Sequence, residues 1–268
     1  MTSIYLSDQL PLKFPSFYLR YSKAITDAGI DCKSIKNTKD IWAIDYMPVQ
    51  LHDGTFVKFI YDPDYLQTRH YKKTITDFRK VEIDFEPKVH YSKLKIDGGN
   101  VISFGKKYIL TDKIFAENPG LTQKELLKIL HIDLKTDDII IIPSQPDDFT
   151  GHADGVIRFI DKRNVIINDN HVDEQYSGAL IDILKKNKLC PHFLPYPVLE
   201  NRSQDDATGC YINYCETDSH IFFPTFGKRD DLAALKLIKE YFPHKTIIPV
   251  KSNEIAVRCG VLNCVTWK

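Results

Sequence analysis

The chain has 268 residues, 43% of them hydrophobic, and 36 Lys+Arg balance 36 Asp+Glu, so its formal net charge is zero. That balance gives no electrostatic case for nucleic-acid binding, and no apolar run approaches bilayer-spanning length, so neither a nucleic acid nor a membrane is an expected partner. The composition fits a soluble globular protein, and with no Gly/Ser-rich linker a single domain over 1–268 is expected, large enough to bury its core without staples.

The first residues, Met1 to Leu12, lack the basic start and apolar core of a secretion signal. The six cysteines (Cys32, Cys190, Cys210, Cys215, Cys259 and Cys264) form no C-x-x-C pair and no zinc-ligand spacing. Reduced thiols in a cytoplasmic protein are therefore expected. Tyr18, Tyr21, Ile25 and Ala28 fall at helical spacing and predict a helix over 16–28. Next, Trp42-Ala43-Ile44-Asp45-Tyr46-Met47-Pro48 sets a carboxylate among bulky apolar groups. An unpaired buried charge is costly, so Asp45 needs a structural Arg, a turn amide or a cationic ligand.

Runs rich in Ile, Val, Phe and Tyr predict strands over 55–60, 100–104, 107–111 and 139–142. Gly105-Lys106 reads as a hairpin turn between the second and third. Asp97-Gly98-Gly99-Asn100 follows the strand-like Leu94-Lys95-Ile96. Its glycines allow close backbone approach, and Asp97 sits at a strand end, where functional side chains gather; a tight turn with a solvated Asp fits equally. Thr122 followed by Glu125 is a capping-box pattern opening a helix through Leu126, Leu127 and Leu130.

Gly151-His152-Ala153-Asp154-Gly155 precedes the next predicted strand, 156–160. In an extended segment positions two apart face one side, so His152 and Asp154 can share a pocket; a loop His with an Asp capping its own backbone is the bland reading. From here one pattern repeats. Strands at 156–160 and 164–168 lead to a helix at 173–187 and a strand at 190–194, then 210–214 and 220–223 to a helix at 230–241 and a strand at 246–250. Each is a ββαβ unit of roughly 40 residues, within the range of structural repeats. A last strand is predicted over 261–266 and contains Cys264. A buried Cys is by default a small hydrophobe; as a nucleophile it needs a lowered pKa or a nearby base, which His152 can supply. Cys259 is its nearest competitor. His131, His171, His192 and His220 show no metal-ligand pattern, and Asn201-Arg202-Ser203 is a formal glycosylation sequon.

The order of these motifs carries more than any one of them. Trp-x-x-Asp (42–45), Asp-Gly-Gly-Asn (97–100), Gly-His-x-Asp (151–154), Tyr211-Ile212-Asn213-Tyr214 with Pro224-Thr225-Phe226-Gly227, and a C-terminal Cys264 occur in sequence. This resembles the agmatine deiminase and bacterial (Porphyromonas-type) peptidylarginine deiminase group of the guanidine-modifying, or pentein, superfamily. The resemblance implies an α/β propeller of five ββαβ modules about a pseudo-fivefold axis. It implies Cys264 as nucleophile, His152 as general acid/base and Asp97 as its acidic partner. Asp45 and Asp154 would hold the guanidinium, with Trp42, Gly99 and Asn100 also lining the substrate site. No metal or organic cofactor is implied. The substrate would be a guanidino compound such as agmatine or arginine, or an arginyl peptide. Three neighbours depart from the family pattern: Ile44 where Arg is common, Gly155 where Glu is common, and Asn263 where His often precedes the Cys.

The expected activity is hydrolysis of a guanidino C–N bond through a Cys thiouronium, releasing ammonia and a ureido product. Amidino transfer or release of an alkylamine uses the same residues. A repurposed guanidino-binding protein is the alternative of another class, and a cysteine protease gives no role to so many carboxylates.

Overall fold

The computed structural model describes residues 3–146, 148–169, 173–196 and 205–268. His171 and the Asn201 sequon lie outside them. Among the described residues the strands group into five three-stranded sheets, each with the same connectivity.

In every sheet the first strand runs antiparallel to the second, and the second parallel to the third. The amino-terminal sheet contains β1 (Ser3–Ser7) and β2 (Asp31–Ile35). The second holds β3 (Val49–Gln50), β4 (Phe56–Ile60) and β5 (Val89–Lys95), and the third β6 (Ile102–Phe104), β7 (Lys107–Thr111) and β8 (Ile139–Ile142). β9 (Ile157–Phe159), β10 (Asn164–Asp169) and β11 (Cys190–Pro195) make the fourth, and β12 (Cys215–Glu216), β13 (His220–Thr225) and β14 (Thr246–Lys251) the fifth. The last strand, β15 (Thr266–Trp267), returns to pair with β1 and supplies the first sheet's missing antiparallel member. The two ends of the chain are thus joined in one sheet.

Parallel neighbours need a crossover, and in four sheets it is a helix: Pro15–Asp27, Gln123–Asp133, Glu174–Lys186 and Asp230–Tyr241. Each buries one apolar face, as their 3.6-residue spacing requires; Phe17, Tyr21 and Ile25 do so on the first. The capping box at Thr122 is present, with the Glu125 carboxylate accepting from the Thr122 N–H at 2.9 Å. The second crossover differs. It runs through three short 3-10 turns, Asp64–Leu66, Tyr71–Thr74 and Phe78–Lys80.

Two predicted strands are turns instead. Segment 210–214 is buried but lies outside the strand ladders, with Tyr211, Ile212 and Tyr214 fully enclosed, and only Cys215–Glu216 forms a strand after it. Segment 261–265 likewise turns, and pairing begins at Thr266. Their apolar content reflects burial rather than sheet formation. The N–H groups of Val261, Asn263 and Cys264 all donate to the side-chain Oδ1 of Asn213, at 3.2, 3.2 and 3.3 Å, instead of to a neighbouring strand. Asn100, expected in a strand, lies in the single 3-10 turn Gly98–Asn100.

Candidate active site

Just before the first strand of each sheet the chain makes a tight turn. These five turns carry Trp42 to Tyr46, Asp97 to Asn100, His152 to Gly155, Cys210 to Tyr214 and Val261 to Val265. Each is hydrogen-bonded to the next. Gly99 N–H donates to Asp45 Oδ1 at 3.0 Å, and Ala153 N–H to Asn100 Oδ1 at 3.2 Å. Asn213 Nδ2 donates to the Asp154 carbonyl at 3.4 Å, and its Oδ1 accepts the three N–H groups already described. The Ile44 N–H then donates to the Cys264 carbonyl at 3.2 Å and closes the ring. Five sequence-distant turns are locked together, and their side chains meet inside.

The meeting point is Gly99. A methyl group there would stand 2.6 Å from Asp45 Oδ1, 2.9 Å from His152 Nδ1 and 3.4 Å from Asp154 Oδ2. Glycine is needed because nothing larger fits between them. At Gly98 an added carbon would lie 1.9 Å from the Ile44 carbonyl oxygen, so this residue sets how closely two of the turns approach. Gly99→Ala is expected to lower kcat/KM about 100-fold, since a displacement near 1 Å in a catalytic group costs that much. Steady-state kinetics on the folded variant measure it, and activity within a factor of three of wild type would contradict the crowding.

His152 Nε2 lies 3.0 Å from Asp97 Oδ2, which also accepts from Tyr65 Oη at 2.9 Å. A carboxylate only accepts, so Nε2 carries a hydrogen. His152 Nδ1 faces Asp45 Oδ1 at 3.5 Å. Burial disfavours the imidazolium, but Asp45, Asp97 and Asp154 outweigh it and raise His152 to about 10. The ring is therefore charged at neutral pH. Asp45 is pushed up to about 8, chiefly by burial, with His152 opposing and the other two carboxylates reinforcing the rise.

Cys264 sits on the other side. Asn213 Nδ2 donates to its sulfur at 3.2 Å, and the thiol donates to Asp154 Oδ2 at 3.5 Å. Among the described residues the hydrogen bonds of the sulfur go to Asn213 and Asp154 and those of the His152 ring to Asp97. Burial, then Asp154 and Asp45, hold the Cys264 thiol well above its ordinary range. Without a cation in the site the sulfur stays protonated. Its alkylation by neutral iodoacetamide is expected to be slow at pH 8 and still accelerating above pH 9; a plateau below pH 8 would contradict the environment described.

Trp42 packs beside Cys264. A methyl at Gly260 would lie 2.5 Å from the Trp42 ring and 2.9 Å from Cys264 Cβ. Asn100 commits its Oδ1 to the N–H groups of Thr111 and Ala153, bracing the turn that carries Asp154. His152 is extended while Asp154 lies in a 3-10 turn, so strand alternation is not what brings them together. Cys259 stands apart, with its thiol raised by burial to about 12 and its backbone in the left-handed region. His131, His192 and His220 are engaged by Thr136, Asn164 and Ser219.

Four contributors went unassigned from sequence: Tyr65, Arg158, Asn213 and Asn263. Tyr65 comes from the crossover that lacks a helix, and its ring meets His152 edge-on at 6.1 Å. Asn213 stands in the Tyr-Ile-Asn-Tyr motif, and an Asn inside so apolar a run was the available signal. Lys58 is a further buried cation; burial lowers it to about 8 against the pull of Asp97 and Asp45.

All five principal groups are enclosed, with Asp97 1%, Asp154 2%, His152 5%, Asp45 6% and Cys264 8% exposed. Three carboxylates this deep need cationic partners. Each has one oxygen engaged by the protein (Asp45 Oδ1, Asp97 Oδ2 and Asp154 Oδ2). Asp97 Oδ1 is buried with no partner, at a typical cost of about 1–3 kcal/mol. Among the described residues no group of three or more His, Cys, Asp or Glu is arranged to hold a metal ion, and no helix is long and apolar enough to cross a membrane.

A family model described as Porphyromonas-type peptidyl-arginine deiminase matches residues 20–268. The chain belongs to this family. The "Putative agmatine deiminase" of Photobacterium profundum is 24% identical to it, over 64% of this chain and 56% of that protein. The chain thus spans less than two thirds of the length of such curated relatives. Among solved structures, C. jejuni agmatine deiminase superposes with a TM-score of 0.79 at 17% identity, covering 99% of this chain and 92% of that one. A variant of that enzyme with substrate bound gives 0.74 at 17% identity, with the same coverage. These likenesses establish the fold: five small mixed sheets plus helices, as in pentein structures. The deiminase-family membership accounts for the motif order from Trp42 to Cys264.

Proposed function

We propose that this protein hydrolyses a C–N bond of a guanidino compound, with Cys264 as nucleophile. The supporting observation is the enclosure of Asp45, Asp154 and His152 around Gly99, with Asp97 on the imidazole, Cys264 against Asp154, and Asp97 Oδ1 left without a hydrogen-bond partner. A guanidinium is planar, permanently charged and rich in N–H donors, and carboxylates grip it in fixed orientation. Asp45 and Asp154 hold it so that its central carbon faces the sulfur. The name of the substrate-bound C. jejuni relative fits this class of ligand.

Binding a cation beside a thiol held up by negative charge favours loss of the thiol proton to solvent. The sulfur then attacks the central carbon and forms a tetrahedral centre. His152, already protonated, gives its Nδ1 proton to the departing amine; the C–N bond breaks, ammonia leaves, and a thiouronium remains on Cys264. Neutral His152 next takes a proton from water as the hydroxyl adds to that carbon. The C–S bond then breaks as the hydroxyl proton passes to the sulfur, leaving a ureido product and a free thiol. Asp97 holds the ring through Nε2 at every stage, as an orienting carboxylate does in other His-dependent enzymes. If an amine rather than water intercepts the thiouronium, the same residues carry out amidino transfer. Free thiols at all six cysteines favour a reducing, cytoplasmic setting.

The test is a panel of agmatine, free arginine, arginyl peptides and methylated arginines, assayed for ammonia and the ureido product. Turnover on one of them supports the proposal. No turnover, together with no labelling of Cys264 by a haloacetamidine, would move the protein to the binding class.

A further inference from the structure

Asp154 does not stand alone. Asn263 Nδ2 donates to its Oδ2 at 2.8 Å, and Arg158 Nη1 donates to Asn263 Oδ1 at 2.8 Å. All three side chains are buried. An amide can face either way, but a guanidinium has only donors. Arg158 therefore fixes the oxygen of Asn263 toward itself and leaves the N–H for Asp154. Arg158 is in turn held from two other sides, with its guanidinium 4.8 Å from the centre of the Tyr214 ring and Nη2 3.9 Å from Glu216 Oε2. The Asn263 backbone is pinned as well, its N–H shared between the side-chain and main-chain oxygens of Asn213.

We infer that Arg158 and Asn263 are positioning residues for Asp154, fixing its carboxylate beside Cys264 and Gly99 in the orientation that meets a guanidinium. This rests on the proposed function, in which Asp154 is an anchor and Cys264 the nucleophile. The physical need arises when the thiol ionises. Asp154 Oδ2 and the sulfur are 3.5 Å apart, and two anions at that separation repel. The Asn263 N–H, backed by the Arg158 charge, keeps Oδ2 in place between Cys264 and Gly99 through that change and so keeps the carboxylate set for the substrate.

The test compares alkylation of Cys264 by 2-chloroacetamidine and by neutral 2-chloroacetamide, each rate divided by that for free glutathione. The ratio reports how well the carboxylates hold a cation over the sulfur, and it needs no turnover. Wild type is expected to prefer the amidine. Arg158→Met and Asn263→Leu should each reduce that preference about tenfold, and the double variant should lose no more than the worse single one, because both act through one contact. Asn263→Asp keeps the shape and the acceptor for Arg158 but has no N–H for Asp154. It should lose the preference too, whereas a purely electrostatic part for this position predicts a gain from the added negative charge. If Arg158→Met does not fold, the isosteric Asn263→Asp still decides the matter. Variants that keep the preference, losses that add in the double variant, or a gain in Asn263→Asp overturn the inference while leaving the proposed function standing. A wild type without any preference for the cation removes both.

Discussion

Cys264→Ala is expected to abolish ammonia release from whichever guanidino compound the wild type turns over, a loss of at least about 10⁴-fold. The covalent route has no substitute nucleophile. The sulfur lies against Asp154 and Asn213, within the ring of five turns. Cys259, the nearest thiol in sequence, is held high by burial and faces the negative charge of Asp205 and Asp148 more than it does the site. Cys259→Ser should therefore leave kcat within a few-fold of wild type. The measurement is ammonia release at saturating substrate, with the melting temperature of each variant recorded beside it. Alanine removes a small, well-packed side chain and leaves the hydrogen-bond ring, which is built from backbone groups and the side chains of Asp45, Asn100 and Asn213, intact. A folded Cys264→Ala protein with more than about 1% of wild-type activity would end the covalent scheme.

Asp45→Asn should have the second largest effect. Removing one partner of a buried charge pair costs about 3–5 kcal/mol, or roughly 10²- to 10⁴-fold in kcat/KM. The amide keeps the acceptor for the Gly99 N–H, so the fold should hold while the guanidinium loses half of its grip. Stability should move the other way. Asp45 is raised from 3.8 to about 8, so folding favours its protonated form. That contribution is full below the ordinary carboxylate range and is lost as pH rises through about 8. Asparagine cannot ionise, and the variant should show a flatter fall in stability over that window. The raised His152 acts in the same direction, since its own contribution is lost as pH climbs through about 10, and it shrinks when the Asp45 charge is removed. Urea titrations of unliganded wild type and variant at pH 5 and pH 8 resolve the slope. Unchanged kinetics for Asp45→Asn would take this residue out of the site.

The two helices over 123–133 and 230–241 could be read from the sequence because their signals are local. A capping box marks one start, and Leu126 and Leu130 or Ala234 and Ile238 repeat at helical spacing on one buried face. The hairpin strands β6 and β7 were equally legible, since Gly105-Lys106 sets their turn. Segments 210–214 and 261–265 misled because Tyr211, Ile212, Val261 and Leu262 look like strand residues when only their apolarity is visible. Apolarity reports burial, and a turn whose N–H groups are taken by one Asn side chain is as well satisfied as a strand.

By itself the sequence determined which chemical groups are available. It supplied a thiol, an imidazole, three carboxylates among apolar residues, and glycines at 98, 99 and 260 where no side chain fits. The order of these motifs also placed the chain in its family. The tertiary structure alone decided how they act together. Cys264 meets Asp154 across 110 positions and Asn213 across 51, and Arg158 reaches Asn263 across 105. Such distances leave no periodic trace in a sequence. They also decide the electrostatics, because a thiol's ionisation depends on the charges a few ångströms away and not on its neighbours along the chain.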